Sequence, residues 1–283
     1  MYYCIYPGSL EKLDVGVEEI IIPAKDLAIN CFGVEKWFFI RYMDAGGAHL
    51  RLRFHVKDIY LVEFCERMDE VLLKCLEQVE RKQSYPLKRI VPNKQNIQRT
   101  VPRIEKDLYE PELKKYFNKR YLKLSEELFD YSSEIVCSIC YQVNLENINR
   151  YEFGLMLMKR VFDAIELEQG PLLAFLQNYL NYWSGSDKMT YQLINIAAQK
   201  RDALEAILAQ DLIYVDYHEE IDQYVIKLKC ILFEIYDEFG EGAFYHLLFH
   251  YTHMMNNRLG IWPIEEAYLS ALYIQRLQNV IVR

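Results

Sequence analysis

Residues 37–54 read WFFIRYMDAGGAHLRLRF, two strand-like runs on either side of a glycine pair. The apolar residues of Trp37–Tyr42, the turn residues of Asp44–Gly47 and the alternation in His49–Phe54 predict a β-hairpin. Side chains alternate between the two faces of a strand, so the second run has one apolar face and one basic face. The basic face carries His49, Arg51 and Arg53.

Two guanidinium groups on one strand face suit an anionic ligand. Arg51 and Arg53 are two residues apart, and each can hold a carboxylate or phosphate through a bidentate pair. The alternative is that this face is only the solvated side of an amphipathic strand. The pattern alone favours that simpler interpretation. Residues elsewhere in the chain are therefore needed to distinguish an anion-binding face from a solvated one.

The composition is that of a folded, acidic protein rich in helix. The chain has 283 residues, of which 52% are hydrophobic, with only 11 Gly and 8 Pro and a net charge of −8. This composition argues against disorder and against a general nucleic-acid binder. Residues 81–123 oppose the acidic trend, with 13 Lys or Arg against four Asp or Glu. This basic band indicates an acidic partner, or else a positive helix face beside a solvated loop.

Seven cysteines are scattered along the chain without the spacing of a disulfide framework. The N-terminal residues do not form a secretory signal, and no apolar run approaches about 20 residues, so we expect reduced thiols in a cytoplasmic protein without a membrane span. Cys137 and Cys140 have the CxxC spacing, but no second Cys or His pair follows at metal-ligand spacing. Both are therefore expected to be buried structural residues.

The rest of the sequence predicts an α+β chain, a small antiparallel β-sheet module packed on a largely helical body. We expect one domain over 1–283, with a β-rich part at 1–105 that includes one long helix at 59–82, and a helical part at 106–283. Glu18–Pro23 is a further strand candidate, and 83–105 contain short strands and turns. Helices are predicted at 111–144, 148–168, 171–183, 189–209, 214–238, 241–258 and 264–280.

Three histidines share one face of the helix predicted at 241–258. His246, His250 and His253 are four and three residues apart. A metal site is disfavoured, because no HExxH-like carboxylate partner accompanies them and one helix provides poor tetrahedral geometry. A histidine in a cleft can be a general acid or base, and the alternative is an ordinary structural histidine. Signatures of phosphate loops, dinucleotide-binding folds and serine-hydrolase elbows are absent from the sequence.

Four motifs, in order along the chain, resemble those of the thiopeptide-type bacteriocin biosynthesis domain, which is also the C-terminal glutamate-elimination domain of class I lanthipeptide dehydratases. The run at 37–54 resembles the opening of that domain, and Tyr109–Glu112 resembles its YEPE element. Glu127–Glu134 resembles its next helix, and His253–Leu259 resembles its late H-M-x-x-N-R-L motif. After YEPE the family usually continues with E-R-Y-G-G, whereas this chain has KKYFN at 114–118.

The resemblance implies a step in peptide modification. In that family a partner enzyme uses glutamyl-tRNA to acylate Ser or Thr side chains of a ribosomal precursor peptide, and the elimination domain removes glutamate to leave dehydroalanine or dehydrobutyrine. This chain is then expected to be a stand-alone carbon–oxygen lyase without cofactor or metal. Its implied partners are the leader and core of a precursor peptide and the tRNA-dependent glutamylation enzyme, with no membrane or direct nucleic-acid contact.

Two other functions stay open at this point. One is a thiopeptide pyridine synthase, which joins two dehydroalanines by a formal four-plus-two cycloaddition and expels the leader peptide. The other is a non-catalytic partner that binds the leader peptide.

The resemblance also implies roles for particular residues. Arg51 and Arg53 match catalytic or glutamate-binding arginines, and His253 matches the catalytic histidine that carries the proton. The chemistry agrees, because removing a weakly acidic α-proton needs a base and a cation near the developing enolate. Substrate contacts are expected from a wider set, namely His49, Arg41, Lys115, Asn257 and Arg258.

Overall fold

The computed structural model of the protein describes residues 1–85, 89–91, 99–200 and 217–280. Contacts between Cα atoms divide the chain into two compact units, 1–148 and 149–283. The first unit contains a four-stranded antiparallel sheet among its described residues, and the rest of the regular structure is helical. The predicted α+β class is confirmed.

The first unit combines the sheet with four α-helices among its described residues. The strands are β1 (Tyr2–Tyr6), β2 (Trp37–Asp44), β3 (Gly47–Phe54) and β4 (Arg103–Lys106), in the spatial order β2-β3-β1-β4. The helices are α1 (Leu13–Gly16), α2 (Ile22–Phe32), α3 (Leu61–Arg81) and α4 (Lys119–Asn144). Shorter helical turns occupy Leu10–Lys12, Val17–Ile21 and Asp58–Tyr60.

The predicted hairpin is confirmed as β2 and β3, which pair along their whole length. Its tight turn depends on Asp44, whose Oδ1 accepts a hydrogen bond from the backbone N–H of Gly46 at 2.8 Å. Gly47 has a φ of +108°, a conformation that glycine adopts without strain. A Cβ atom at Gly47 would also lie 2.5 Å from Cγ2 of Thr100, so a side chain at this position is excluded by space as well.

One face of the sheet packs against helices. The Phe39 backbone N–H donates to Oγ of Ser133 in α4 at 3.3 Å. Phe54 meets the ring of Phe64 in α3 edge-on, with 5.4 Å between centroids. Because side chains alternate along β3, its basic residues belong to the other face of the sheet.

The expected strand at Glu18–Pro23 is wrong, because this segment is helical. The π-helical turn at Val17–Ile21 runs directly into α2. Its buried residues are three and four positions apart and contact α3 and α4. β-branched residues favour a strand locally, but burial of one helical face against neighbouring helices outweighs that preference.

Helix α4 begins later than predicted and packs against β2. Its N-cap is Asn118, whose Oδ1 accepts hydrogen bonds from the backbone N–H groups of Arg120 and Tyr121 at 2.9 and 3.1 Å. Nε1 of Trp37 in β2 donates to Oε1 of Glu134 in α4 at 2.8 Å. The expected helical part at 106–283 includes this helix, yet its contacts place it in the first unit.

The second unit contains six α-helices among its described residues, each at a predicted helix. They are α5 (Arg150–Ile165), α6 (Gln169–Ser184), α7 (Asp187–Gln199), α8 (His218–Phe239), α9 (Glu241–Leu259) and α10 (Pro263–Val280). α10 packs against α6, and α8 packs against α9. The predicted helical residues 201–209 and 214–216, and parts of the strand-and-turn segment at 83–105, lie outside the described residues.

One carboxyl group in α4 makes the stability of the first unit depend on pH. Burial, followed by the charge of Glu134, raises the pKa of Asp130 from 3.8 to about 7. The folded protein therefore holds this proton more tightly, and the associated stabilisation is complete below pH 3.8 and lost as the pH rises through 7. We expect Asp130→Asn to remove this dependence and to raise the free energy of unfolding at pH 8 by on the order of 2 kcal/mol.

Urea unfolding of Asp130→Asn and of the unchanged protein, at about pH 5 and pH 8, measures this effect. Asp26→Asn is the matched control, because Asp26 is an exposed carboxyl group on α2. A stability difference between Asp130→Asn and the unchanged protein that is the same at both pH values would contradict the assignment.

Candidate functional site

Arg51 is held on the outer face of the sheet by three contacts. Its guanidinium lies 3.5 Å from the centroid of the Tyr42 ring. Its Nε donates to Nε2 of His49 at 3.1 Å, and its Nη2 lies 3.7 Å from Oδ2 of Asp44. Asp44 offsets part of the arginine charge, so Arg51 is a fixed cation that already has a carboxylate neighbour.

His49 supports Arg51 from a buried position. Its side chain is 0% exposed, and its Nδ1 lies 3.0 Å from the carbonyl oxygen of Gly47. Burial lowers the pKa of His49 and favours the neutral ring. With the proton on Nδ1, Nε2 is free to accept the hydrogen bond from Arg51. Direct contact of His49 with substrate stays a prediction.

Arg53 lies beside a small cavity and has unused hydrogen-bonding capacity. Its guanidinium carbon is 4.6, 5.2 and 4.8 Å from the ring centroids of Tyr2, Phe38 and Tyr109. The cavity has a volume of about 180 Å³. Nε of Arg53 is buried and has no hydrogen-bond partner among the described residues. Aromatic faces stabilise the cation but leave its N–H edge for an acceptor, which suits an anion.

The YEPE element forms part of the wall of this cavity. The Tyr109 hydroxyl donates to Oε1 of Glu126 at 2.6 Å, which fixes the ring against Arg53. Burial raises the pKa of Tyr109, so the phenol keeps its proton. Lys36 also lines the cavity, and its Nζ pairs with Oε1 of Glu127 at 2.6 Å.

Arg41 belongs to the other face of the sheet. Its Nη1 pairs with Oδ1 of Asp14 at 2.7 Å, and the two side chains are 11% and 4% exposed. This buried ion pair joins β2 to α1. A substrate-binding role for Arg41 stays a prediction, and it gains no support from this geometry.

Lys115 lies between the YEPE element and α4. Its Nζ is 3.4 Å from Oε2 of Glu112 and 5.7 Å from the centroid of the Tyr116 ring. It stands where the family pattern has arginine, and an ammonium group lacks the planar fork that grips a carboxylate bidentately. Its contact with substrate also stays a prediction.

Several cations of the basic band have carboxylate partners within the first unit. The pairs are Arg81–Glu77, Lys82–Glu18, Lys82–Glu19, Arg103–Glu105, Lys106–Asp69 and Lys115–Glu112. These carboxylates offset part of the positive charge, so the net charge around residues 81–123 is lower than the count of Lys and Arg in that segment suggests. The acidic partner stays a prediction.

In the second unit, His253 of α9 is held by a buried carboxylate. Its Nδ1 lies 2.8 Å from Oε1 of Glu266 in α10, and the two side chains are 17% and 0% exposed. The imidazole also stacks on the Trp183 ring, with 4.4 Å between centroids and 28° between planes. These contacts fix the ring and leave part of it accessible.

Glu266 is itself held by donors from two helices. The Tyr179 hydroxyl of α6 and Nδ2 of Asn256 in α9 both donate to Oε2, the latter at 3.4 Å. Burial, followed by the charge of Glu266, raises the pKa of Tyr179, so its hydroxyl keeps the donated proton. Buried carboxylates persist where their oxygens are hydrogen-bonded, and this one is.

Two adjacent glutamates lie in the first turn of α10, and they have different partners. Oε2 of Glu265 accepts the backbone N–H of Trp262 at 2.9 Å, and its Oε1 accepts the Tyr151 hydroxyl at 2.7 Å. Glu265 therefore closes the helix start as in a capping box, with Pro263 at the first helical position. Glu266 turns instead to His253.

Sequence reasoning missed Glu266, Tyr179 and Trp183. A carboxylate pair in the first turn of an otherwise apolar helix is a signal that could have marked Glu266. Tyr179 and Trp183 are two of many aromatic residues in the chain, and no local pattern separates them from core residues.

The remaining histidines of α9 line a pocket whose lining does not include His253. His246 and His250 face a volume of about 600 Å³ between α6 and α9, together with the aromatic rings of Phe175 and Tyr245. In the part of the chain that the structure describes, no group of three or more His, Cys, Asp or Glu side chains is arranged to hold a metal ion.

The end of the H-M-x-x-N-R-L motif caps α9. Arg258 is fully buried, and its Nη1 donates to the carbonyl oxygen of Met254 at 2.9 Å. The carbonyl oxygen of Asn257 accepts the backbone N–H of Gly260 at 3.0 Å. Substrate contacts by Asn257 and Arg258 stay predictions.

The CxxC cysteines are buried, as predicted. Cys137 and Cys140 are 6% and 5% exposed. Burial raises the pKa of both thiols, that of Cys140 to about 12, so both remain protonated. Protonated buried thiols behave as small apolar side chains.

The outer sheet face and the His253–Glu266 pair belong to a fold with known relatives. The chain is a member of the family described as lantibiotic biosynthesis dehydratase C-term, whose model matches residues 1–277. No curated protein matches the sequence. Among the described residues, no helix combines the length and the apolar character needed to cross a membrane.

Three solved structures share the fold. The tRNA-dependent lantibiotic dehydratase MibB from Microbispora sp. 107891 has a TM-score of 0.70 at 17% identity, and the match covers 100% of this chain and 28% of MibB. The pyridine synthase TbtD from thiomuracin biosynthesis has a TM-score of 0.63 at 16% identity, covering 99% of this chain and 97% of TbtD. TsrL has a TM-score of 0.64 at 14% identity, covering 99% and 94%. This chain thus spans less than a third of MibB.

Proposed function

We propose that this protein removes glutamate from glutamylated Ser or Thr side chains of a ribosomally made precursor peptide. His253 takes the α-proton of the modified residue, and the electron pair of that C–H bond forms the Cα=Cβ double bond. The Cβ–O bond breaks, and glutamate leaves as a carboxylate. The products are dehydroalanine or dehydrobutyrine and free glutamate. Because this elimination transfers no electrons to or from another molecule, it needs no redox partner or cofactor.

The environment of Arg53 is the observation that supports elimination best. Its guanidinium borders a cavity, its Nε has no hydrogen-bond partner among the described residues, and three rings replace the carboxylate partner that Arg51 has. Charge-assisted hydrogen bonds from such a group stabilise a carboxylate as it develops on the leaving group. An elimination that expels an anion benefits from this cation.

The proposed base is His253. A carboxylate only accepts hydrogen bonds, so Glu266 places the His253 proton on Nδ1 and leaves Nε2 to take the substrate proton. The partner enzyme of the proposed reaction is a tRNA-dependent glutamylation enzyme, and the proposed place of action is the cytoplasm.

A direct assay tests this proposal. Purified protein incubated with a glutamylated precursor peptide should release free glutamate, and each modified residue should fall by the mass of one water below the original Ser or Thr. Mass spectrometry and a glutamate assay measure the two products. Intact glutamyl esters after prolonged incubation would reject the elimination proposal.

A pyridine synthase is the second candidate, and the observation that favours it is Lys115. Where the family pattern has an arginine next to YEPE, this chain has an ammonium group paired with Glu112. A dehydrated, azole-bearing peptide that loses its leader and gains a pyridine absorbance would identify this activity. Binding of the leader peptide without any chemical change would identify a non-catalytic module.

A further inference from the structure

We infer that Glu266 is a positioning residue, which fixes the tautomer and orientation of His253 so that Nε2 faces the substrate as the proton acceptor. The inference deepens the proposed function and rests on it for its catalytic meaning. The geometry that it requires belongs to the second unit alone and can be tested without substrate.

The contacts of His253 leave one protonation pattern for the neutral ring. Nδ1 lies 2.8 Å from an oxygen of Glu266, and a carboxylate cannot donate, so Nδ1 carries the hydrogen. Stacking on Trp183 prevents rotation of the ring out of this plane. Nε2 has no hydrogen bond to the described residues, and 17% of the side chain is exposed.

The groups around Glu266 make a carboxylate necessary. It accepts from His253, Tyr179 and Asn256, and two of these donors share Oε2. A glutamine has one acceptor oxygen and a donor NH2 group, so it cannot satisfy all three donors in the same positions. Glu266→Gln therefore loosens the ring or allows the proton to move to Nε2, with little change in side-chain volume.

Glu265 provides a matched control, because it precedes Glu266 on the same helix turn and is equally buried. Both glutamates are 0% exposed and both accept a tyrosine hydroxyl. Glu265→Gln disturbs the helix start and not His253. The two substitutions are expected to lower the melting temperature by similar amounts. A difference in the His253 tautomer between the two variants therefore cannot be attributed to a general loss of stability.

Nitrogen-15 NMR of the full chain, labelled at histidine and free of substrate, measures the tautomer. The His253 signal of the unchanged protein and of Glu265→Gln should show the proton on Nδ1, and that of Glu266→Gln should shift toward the Nε2–H form. In the elimination assay, Glu266→Gln should lower kcat by about 10-fold or more with little change in KM. Glu265→Gln should stay within about two-fold of the unchanged protein.

The outcomes separate the inference from the proposed function. An unchanged His253 signal in Glu266→Gln would overturn the inference, and so would equal kcat losses in the two variants. If no protein releases glutamate, the proposed function fails, but the NMR comparison still decides whether Glu266 sets the tautomer. If Glu266→Gln does not fold, Glu266→Asp retracts the carboxylate by one methylene, and the same tautomer shift is expected.

Discussion

Arg53→Ala is expected to lower kcat/KM for glutamate release by about 10² to 10³. The reason is the environment of its guanidinium, which lies among aromatic rings, borders a cavity and has a buried Nε without a hydrogen-bond partner among the described residues. Without it, charge on the departing carboxylate develops beside the Tyr2, Phe38 and Tyr109 rings with no guanidinium to hold it. Arg53→Lys restores charge but not the planar fork, so it should recover only part of the rate. Steady-state glutamate release measures both variants.

Arg103→Ala is the control for this prediction. Arg103 lies on the same sheet face as Arg53, and its guanidinium stacks 3.5 Å from the Tyr6 ring centroid. Its Nε donates to Glu105 at 2.7 Å, so its charge is already offset. Loss of Arg103 should change the rate by less than about three-fold. Equal losses of glutamate-release rate in Arg53→Ala and Arg103→Ala would mean that only the overall positive potential of this sheet face matters. That result would contradict a specific role for Arg53.

His253→Phe is expected to lower kcat by about 10² to 10⁴, the usual contribution of a general acid or base. Phenylalanine supplies an aromatic ring for the stack on Trp183, but it removes both ring nitrogens and leaves Oε1 of Glu266 without the His253 donor. His250→Phe is the matched control, because His250 lies one turn earlier on α9 and lines a pocket that does not include His253. Circular dichroism melting should confirm that both variants fold.

Single-turnover mass spectrometry distinguishes binding from chemistry in this comparison. His253→Phe should still form the complex with the glutamylated peptide, so KM should change little while glutamate loss slows. A His253→Phe variant with the turnover of the unchanged protein would remove His253 from the mechanism.

Some features of this protein follow from local sequence. The hairpin at 37–54 was predictable because alternation, a glycine pair and Asp44 all favour the same turn. The basic face of β3 was predictable because alternation along a strand is fixed by backbone geometry. The helical form of Glu18–Pro23 was not predictable, because its β-branched residues favour a strand locally and the neighbouring helices select the helix.

Tertiary structure decided which charged groups are available. Arg41, Arg51 and Arg53 have similar sequence surroundings, but one is buried against Asp14, one lies near Asp44, and one borders a cavity. A partner such as Asp14 is distant in sequence, and short patterns carry no information about it. The same holds for Glu266, which meets His253 only because α9 and α10 are folded against each other.

The sequence by itself therefore determined the secondary-structure class, the basic strand face and the histidine of α9, because these depend on spacing within single elements. Only the tertiary structure decided that His253 has a buried carboxylate partner, and that Arg53 borders a cavity while Arg41 is paired with Asp14. The physical reason is that desolvation and hydrogen-bond partners, which set the chemistry of a charged side chain, come from residues on other elements.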